Sequence, residues 1–343
     1  MKNFNKKINF THLDSVELED WSYLPAVIEQ SNEQSGVKMD AGESMIFALQ
    51  LQHLRAQILD RPYPTLKAKQ LIPQQAESPP GAEEFAYIVA DQVGMFKLIS
   101  NYADDLPVTD IKGEKLVTEI ASFGGAVHYS VNDVERANMA GVPLTARKMI
   151  SNRDAAERKF ERIAWAGDTA AGLFGMLTTP NITKETASTK AAGGTNWKTA
   201  AGAANGTAVE VYADLVRPKI QQTEDTNEIE SPDTYILSLA DLEYANSIFF
   251  DDASGDSALA RFKRNYPEIT VESSVYMKGA GAGPSNVLLA YRNDPQKVAM
   301  ETPLPYNVLA PQFRNMVTII NARMRTAGVV AYFPLSITVI EGL

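Results

Sequence analysis

Residues 145–168 read TARKMISNRDAAERKFERIAWAGD and run into the turn-rich segment TAAGLFGMLTTPNI over 169–182. Ala146, Met149, Ile150, Ala156, Phe160, Ile163 and Ala164 recur at three- and four-residue intervals, the period of one apolar helix face. Opposite charges four apart, Arg153 with Glu157 and Asp154 with Arg158, each stabilise an exposed helix by roughly 0.2–0.5 kcal/mol. Thr145 is placed to cap the N-terminus behind Pro143. Gly167 offers a left-handed stop, and Gly172, Gly175 and Pro180 keep the helix from resuming. The spacing predicts a rod of about 33 Å with Met149, Ile150, Phe160 and Ile163 on its core face. The opposite face, with Arg147, Arg158, Lys159 and Arg162 in excess over Asp154 and Glu161, reads as locally basic.

Around this rod the chain has 343 residues, enough for one large domain or two moderate ones. Hydrophobic content of 45% with 22% charge is that of a globular protein, and no apolar run is long enough to span a bilayer, so no membrane partner is expected. The first twenty residues, MKNFNKKINFTHLDSVELED, carry positive charge but no apolar core, so they do not read as a secretory signal. With no cysteine, disulfides and thiolate sites are excluded, and stability rests on packing or on neighbouring subunits. The formal charge of −10 opposes tight polyanion binding, yet it suits a surface that lies near nucleic acid without adhering to it.

Residues 1–41 are polar and aperiodic and read as an extended arm. Residues 43–60 show a helical stripe of Phe47, Leu51, Leu54 and Ile58, closed by Pro62 and Pro64, and 65–80 read as extended. From 82 to 130 the pattern becomes strands, EEFAYIVA, GMFKLIS, EKLVTEIASF and AVHYS, broken by turn residues. A long two-stranded excursion fits these short apolar runs better than a compact sheet. A short helix is expected over 131–140. Residues 183–207, rich in Ala, Thr, Gly and Lys, read as a linker with Trp197 as anchor. Beyond it, 208–223 reads as a helix that Pro218 kinks or ends. Strands are then expected at 233–240, 269–276, 287–292 and in the last thirty or so residues, with helices at 241–250 and 257–266. Mixed strands and helices of this kind make an α+β protein.

Catalytic chemistry finds no foothold. His12, His53 and His128 lie far apart with no zinc spacing, and no G-x-S-x-G elbow occurs. Gly279, Gly281 and Gly283 lead through Pro284 into the strand VLLAY rather than into a helix N-terminus, so they read as a hairpin loop and not a phosphate cradle. Asp104-Asp105 and Asp251-Asp252 read as solvated turns, since neighbours in an extended chain point to opposite faces. Arg323 and Arg325 share one strand face, suited to a phosphate or, more in keeping with a strand, to acidic groups on a neighbouring element or subunit. No cofactor, metal or catalytic residue is expected.

The order of parts resembles a tailed-bacteriophage major capsid protein of the Hong Kong 97 type, a fold shared with encapsulin shells. Residues 64–343 carry the resemblance. Its phrases are Gly81-Ala82 with Phe85 and Tyr87, DDLP at 104–107, WAGD at 165–168 and GLFGMLTTPNI at 172–182, then YRNDPQKVAMETPLP at 291–305 and AGVVAYFPLSITVIEG at 327–342. It implies an N-terminal arm and helix over 1–80, an extended β-hairpin loop over 81–120, and a peripheral domain over 121–207 with its spine helix at 145–168. An axial α/β domain would follow over 208–310, with C-terminal strands returning over 311–343. It implies pentamers and hexamers of the chain itself in an icosahedral head around double-stranded DNA, within a virion assembled in the host cytoplasm. Scaffold, portal and decoration proteins are the implied further partners. The glycine loop at Gly279, Gly281 and Gly283 would lie near a capsomer centre. Residues 1–80 are too short and aperiodic for a built-in scaffolding domain. No motif aligns Lys97, Lys112 or Lys115 with a crosslinking partner.

An extended loop buries little apolar surface in its own subunit, so Phe85, Tyr87, Ile88, Phe96, Leu98, Ile99 and Tyr102 are expected to need a neighbouring chain. Two alternatives stand beside the phage head: an encapsulin-like compartment, and a soluble α+β enzyme or binding module. The apolar stripe gives a direct test. Phe160→Asp places a charge on the core face and is expected to abolish cooperative thermal unfolding of the subunit. A variant that still melts cooperatively would show that the buried face lies elsewhere.

Overall fold

The computed structural model describes residues 64–93, 109–139, 144–198, 204–251, 255–283 and 285–343. The expected arm, the helix at 43–60 and the strand GMFKLIS lie outside the described residues. In chain order come a one-turn helix α1 (Ala68–Leu71), a short strand β1 (Gln74–Gln75), and an antiparallel ribbon of β2 (Glu84–Val93) and β3 (Asp110–Glu119). Strand β4 (Ala121–Ser130) runs on from the ribbon into helices α2 (Val131–Met139) and α3 (Leu144–Ala166). After a turn come β5 (Thr183–Thr186), α4 (Ala208–Asp225), β6 (Thr234–Leu237), α5 (Leu239–Ser247), α6 (Ala258–Asn265), β7 (Thr270–Ser273) and β8 (Val287–Tyr291). The chain ends with β9 (Val298–Glu301), β10 (Leu304–Val308), β11 (Gln312–Arg314), β12 (Val317–Thr326), β13 (Gly328–Ala331) and β14 (Ile337–Glu341).

Helix α3 is the predicted rod, 23 residues or about 35 Å long. Its C-terminal half enters the core through Phe160, Ile163, Ala164 and Trp165. The N-terminal half does not: Met149 is half-buried and Ile150 is exposed, contrary to the expected core face. The reason is cover: the core cluster takes in only the last turns of the helix, while nearer its start Lys148 donates to the His128 carbonyl on β4 and Asn152 accepts from Tyr306 Oη at 2.9 Å. Glu161, assigned by periodicity to the charged face, is buried. Its carboxylate accepts from the backbone N–H groups of Lys67 (3.1 Å) and Ala68 (2.9 Å) and from Trp165 Nε1 (2.8 Å). It thereby satisfies donors at the start of α1 and fastens that turn to the spine. On the basic face Lys159 pairs with Asp168, and beside it Arg153 pairs with Glu157.

The glycine turn after α3 folds back onto the helix end. Gly167 N–H donates to the Ile163 carbonyl (2.9 Å), Met176 N–H to Ala164 (2.9 Å) and Leu177 N–H to Trp165 (3.1 Å). Carbonyls that a helix C-terminus leaves without partners are thus satisfied in a dry site. Gly167 takes φ 72°, and a Cβ on Gly175 would lie 2.4 Å from Gly167 N and 2.6 Å from the Trp165 carbonyl oxygen. Only hydrogen fits there. The same turn reaches β13, where Val329 N–H donates to the Phe174 carbonyl (2.8 Å).

Sheet order β5-β14-β8-β6-β7 makes the central layer, with β5 parallel to β14 and β7 parallel to β6, while β8 is antiparallel to both of its neighbours. Both of its faces are covered, which is why TYIL and VLLAY read as unbroken apolar runs. Alternate residues serve two cores. Ile236, Leu289, Tyr291, Ile337 and Val339 face the α3 core, whereas Tyr235, Leu237, Leu288, Ala290 and Ile340 pack with Val211, Leu215 and Phe262 of α4 and α6. A second sheet sets β4 against β12, with β10 and β11 on the far edge of β12, and a third joins β1, β9 and β13.

Two sequence expectations change here. Helix α4 runs unbroken through Pro218 to Asp225. An interior proline costs about 3 kcal/mol, but the Thr207–Glu210 capping box and the burial of Val211, Leu215 and Pro218 offset it. The segment read as a linker instead begins with β5 and is pinned onto α4. Buried Asp214 accepts from Trp197 Nε1 (2.7 Å) and Ser188 Oγ (2.5 Å) and pairs with buried Lys190. Trp197 is an anchor, as its isolation among small residues implied.

Gly175→Ala is expected to destabilise the subunit by about 1–3 kcal/mol or more, read as a lower midpoint in denaturant unfolding. An unchanged midpoint would mean that the turn can stand off the helix end.

Candidate assembly interface

The β2–β3 ribbon leaves the body at a small apolar cluster. Phe85, Ile120, Ala327 and Val330 are buried there, with Tyr87 and Tyr332 packed against them at 5.0 Å in an edge-on pair. Tyr87 Oη donates to the Ala331 carbonyl (3.4 Å) and Tyr332 Oη to Gln75 Oε1 (3.1 Å). Burial raises the Tyr87 phenol above its usual range. Burial, with Glu77 and Glu301 nearby, pushes Tyr332 up to about 12, so both stay protonated donors. Phe85 and Tyr87 were expected to wait for another chain. Phe85 is instead buried by its own subunit and Tyr87 half-covered, because both lie at the ribbon's root on the side facing β13.

The other ribbon face is different. Register pairs Ala86 with Val117, Ile88 with Lys115 and Ala90 with Gly113, which places these six on one side. Ile88 lies across Gly113, where an added Cβ would sit 3.3 Å from Ile88 Cγ2. It is nevertheless 73% exposed, and Ile111 and Val117 are exposed as well. An isolated two-stranded ribbon is marginal in water, so this apolar face needs cover. Ile111 and Val117 were missed by sequence reasoning, which credited β2 and the tip. The signal was the odd-numbered spacing of Ile111, Gly113, Lys115 and Val117, which puts them on one face of a strand. The remaining expected loop residues, Phe96, Leu98, Ile99 and Tyr102, lie outside the described residues.

A second protrusion was not foreseen. Residues 307–316 are all exposed and form a finger in which β11 and β12 meet through Asn315 (φ 46°) and Met316 (φ 59°). Phe313 is 85% exposed and Met316 71%. The usual two-residue hairpin signal is Asn-Gly, and methionine in its second place concealed the turn. At the glycine loop, Gly279 and Gly283 take φ of 65° and 73°. Gly279 N–H donates to Asn286 Oδ1 (3.0 Å) and Ala282 N–H to Glu341 Oε2 (2.9 Å). The loop leads into β8, not into a helix. His128 sits exposed on β4, and Arg323 is exposed while Arg325 donates to the Pro80 carbonyl. Among the described residues no three acidic or histidine side chains converge as metal ligands do, and no helix is long and apolar enough to cross a membrane.

The architecture matches solved capsids. The capsid of Myoviridae phage XM1 superposes with a TM-score of 0.74 at 18% identity, over 86% of this chain and 98% of that one. Gordonia phage Cozz gives 0.59 at 10% identity over 89% and 95%. The capsid of a native GTA particle computed with C5 symmetry gives 0.58 at 12% identity over 85% and 96%. At these identities the likeness is one of fold, and the fold is the Hong Kong 97 type. No curated protein matches the sequence. A family model described as major capsid protein matches residues 94–343, and the chain belongs to that family. Its role is structural: it is a virion component, a subunit that assembles with copies of itself into a shell.

The ribbon root supplies a measurable consequence. Phe85→Ala is expected to cost about 3 kcal/mol at this cluster and to speed proteolysis within 84–119 while the rest of the subunit stays resistant. Equal proteolysis of variant and wild type would show that the aromatic root does not hold the ribbon.

Proposed function

We propose that this chain forms the icosahedral head of a tailed bacteriophage around double-stranded DNA, in pentamers and hexamers. The observation that carries the reading is the β2–β3 ribbon, rooted in its own subunit but apolar and uncovered on its outer face, as an arm laid over a neighbour would be. In this arrangement 81–120 is the intersubunit loop, 121–207 the peripheral domain with α3 as spine, and 208–310 the axial domain, with 1–80 an arm and 311–343 returning strands. The glycine loop then lies toward the capsomer axis. The net charge of −10 keeps the wall from holding the packaged genome. Assembly takes place in the host cytoplasm, with scaffold, portal or decoration proteins as further partners, and chemistry is no part of the role.

The encapsulin-like compartment is the less favoured reading, because the family is that of capsid proteins and the similar solved particles above 0.5 in TM-score include phage XM1 and the GTA capsid. Negative-stain microscopy of the purified full chain, alone and with its neighbouring genes, tests the proposal. Wild type is expected to give closed shells. Ile88→Asp is expected to keep its melting temperature, since the side chain is exposed, yet to yield at least about tenfold fewer particles. A wild type that stays monomeric under both conditions would sink the shell reading, and normal particles from Ile88→Asp would remove the ribbon face from the interface.

A further inference from the structure

The finger at 307–316 is costly to keep. Consecutive non-glycine residues at positive φ, Asn315 and Met316, are strained, and strain retained at an exposed tip points to use. What it holds out is an apolar knob, Phe313 with Met316, and between them Arg314, exposed and with no carboxylate partner among the described residues.

Elsewhere on the same chain is a surface of opposite shape and charge. Where α4 ends, Asn227 (φ 51°) and Glu228 (φ 65°) form a second strained non-glycine pair. The chain then presents Ile229, 78% exposed, beside Phe333 and Leu335 along an open groove of about 370 Å³. Lys297, the cation at this groove, is already engaged, paired with Glu230 at 2.5 Å and stacked 4.3 Å over the Phe333 ring. Asp225, which among the described residues accepts from Thr183 and Gln221 and pairs with no cation, lies on the groove, and exposed Glu228 follows between its lining residues Asn227 and Ile229, so this edge is acidic. An aromatic side chain brings about 150–250 Å² of surface to such a contact. The groove's apolar floor matches Phe313, and its carboxylate rim matches Arg314.

We propose that the finger of one copy seats in this groove on a second copy, Phe313 between Ile229 and Leu335, with Arg314 against Asp225 and Glu228. The finger is exposed in its own subunit, so it does not fill its own groove. The contact joins two different surfaces, hence it is heterologous and propagates from copy to copy as a shell requires. It rests on the shell reading above but adds a contact that the ribbon does not make.

The absence of cysteine makes the test clean. Met316→Cys and Ile229→Cys, combined in the full chain and treated as assembled particles with a short bismaleimide, are expected to give a ladder of covalent oligomers. Met316→Cys with Val275→Cys serves as the exposed control and is expected to give none. In a second arm, Arg314→Glu is expected to lower particle yield at least about tenfold with an unchanged melting temperature, and Glu228→Arg in the same chain to restore it to within about twofold. Particles that form but give no finger–groove ladder overturn the pairing and leave the shell reading intact. So does a ladder from Met316→Cys with Ile88→Cys in its place, or a charge swap that fails to restore assembly. If wild type forms no particles, the shell reading falls and takes this contact with it.

Discussion

The body of the subunit depends on how the C-terminal end of α3 is satisfied. A long helix that ends inside a core brings carbonyls that neither water nor the next turn can reach, and each left unpaired would cost as much as several good contacts gain. Here the chain doubles back within ten residues and supplies N–H groups from Gly167, Met176 and Leu177. That return is sterically possible only because Gly167 and Gly175 let two backbones touch. One turn earlier Glu161 does the reciprocal service for α1, accepting two of its N-terminal donors and the Trp165 indole. The spine end is therefore a junction at which α1, the glycine turn and β13 are tied to one helix by polar groups in a dry environment.

From that junction two cores grow on opposite faces of one sheet. Because side chains alternate along a strand, β6, β8 and β14 each contribute to both, so the α3 side and the α4 side share their strands. The buried Asp214 cluster extends the second core to the Ala- and Gly-rich segment before α4. A buried ion pair of this sort is a modest source of net stability but a strict condition on geometry, since losing one partner strands the other. The body is thereby specified tightly enough to carry appendages that it does not itself cover.

Those appendages account for much of the apolar surface that the subunit exposes. The ribbon invests one face in its root, Phe85 and Tyr87 against Ala327, Val330 and Tyr332, and leaves Ile88, Ile111 and Val117 open. The finger keeps a strained turn to hold Phe313 and Met316 in water. Neither arrangement lowers the free energy of an isolated chain. In the proposed shell each would become favourable through cover from another copy, which would tie the stability of the exposed parts to assembly.

Much of this was legible before any coordinates. The three-and-four spacing from Met149 to Ile163 and the glycines behind it dictate a long helix with an abrupt end, because local periodicity and φ > 0 tolerance are properties of short stretches. The two-stranded excursion and the anchoring role of Trp197 follow from composition in the same way. What only the tertiary structure decided is which neighbour each residue meets. Glu161 lies on a polar stripe yet is buried, since α1 arrives from nearly a hundred residues away to use it. Ile150 lies on an apolar stripe yet is exposed, since the core stops short of it. Pro218 fails to end α4 because packing along the helix outweighs a local penalty, and the finger hides behind a methionine in a glycine's place. Sequence determined the elements through local sterics and periodicity; the sides they bury and bare were set by long-range contacts that no local pattern encodes.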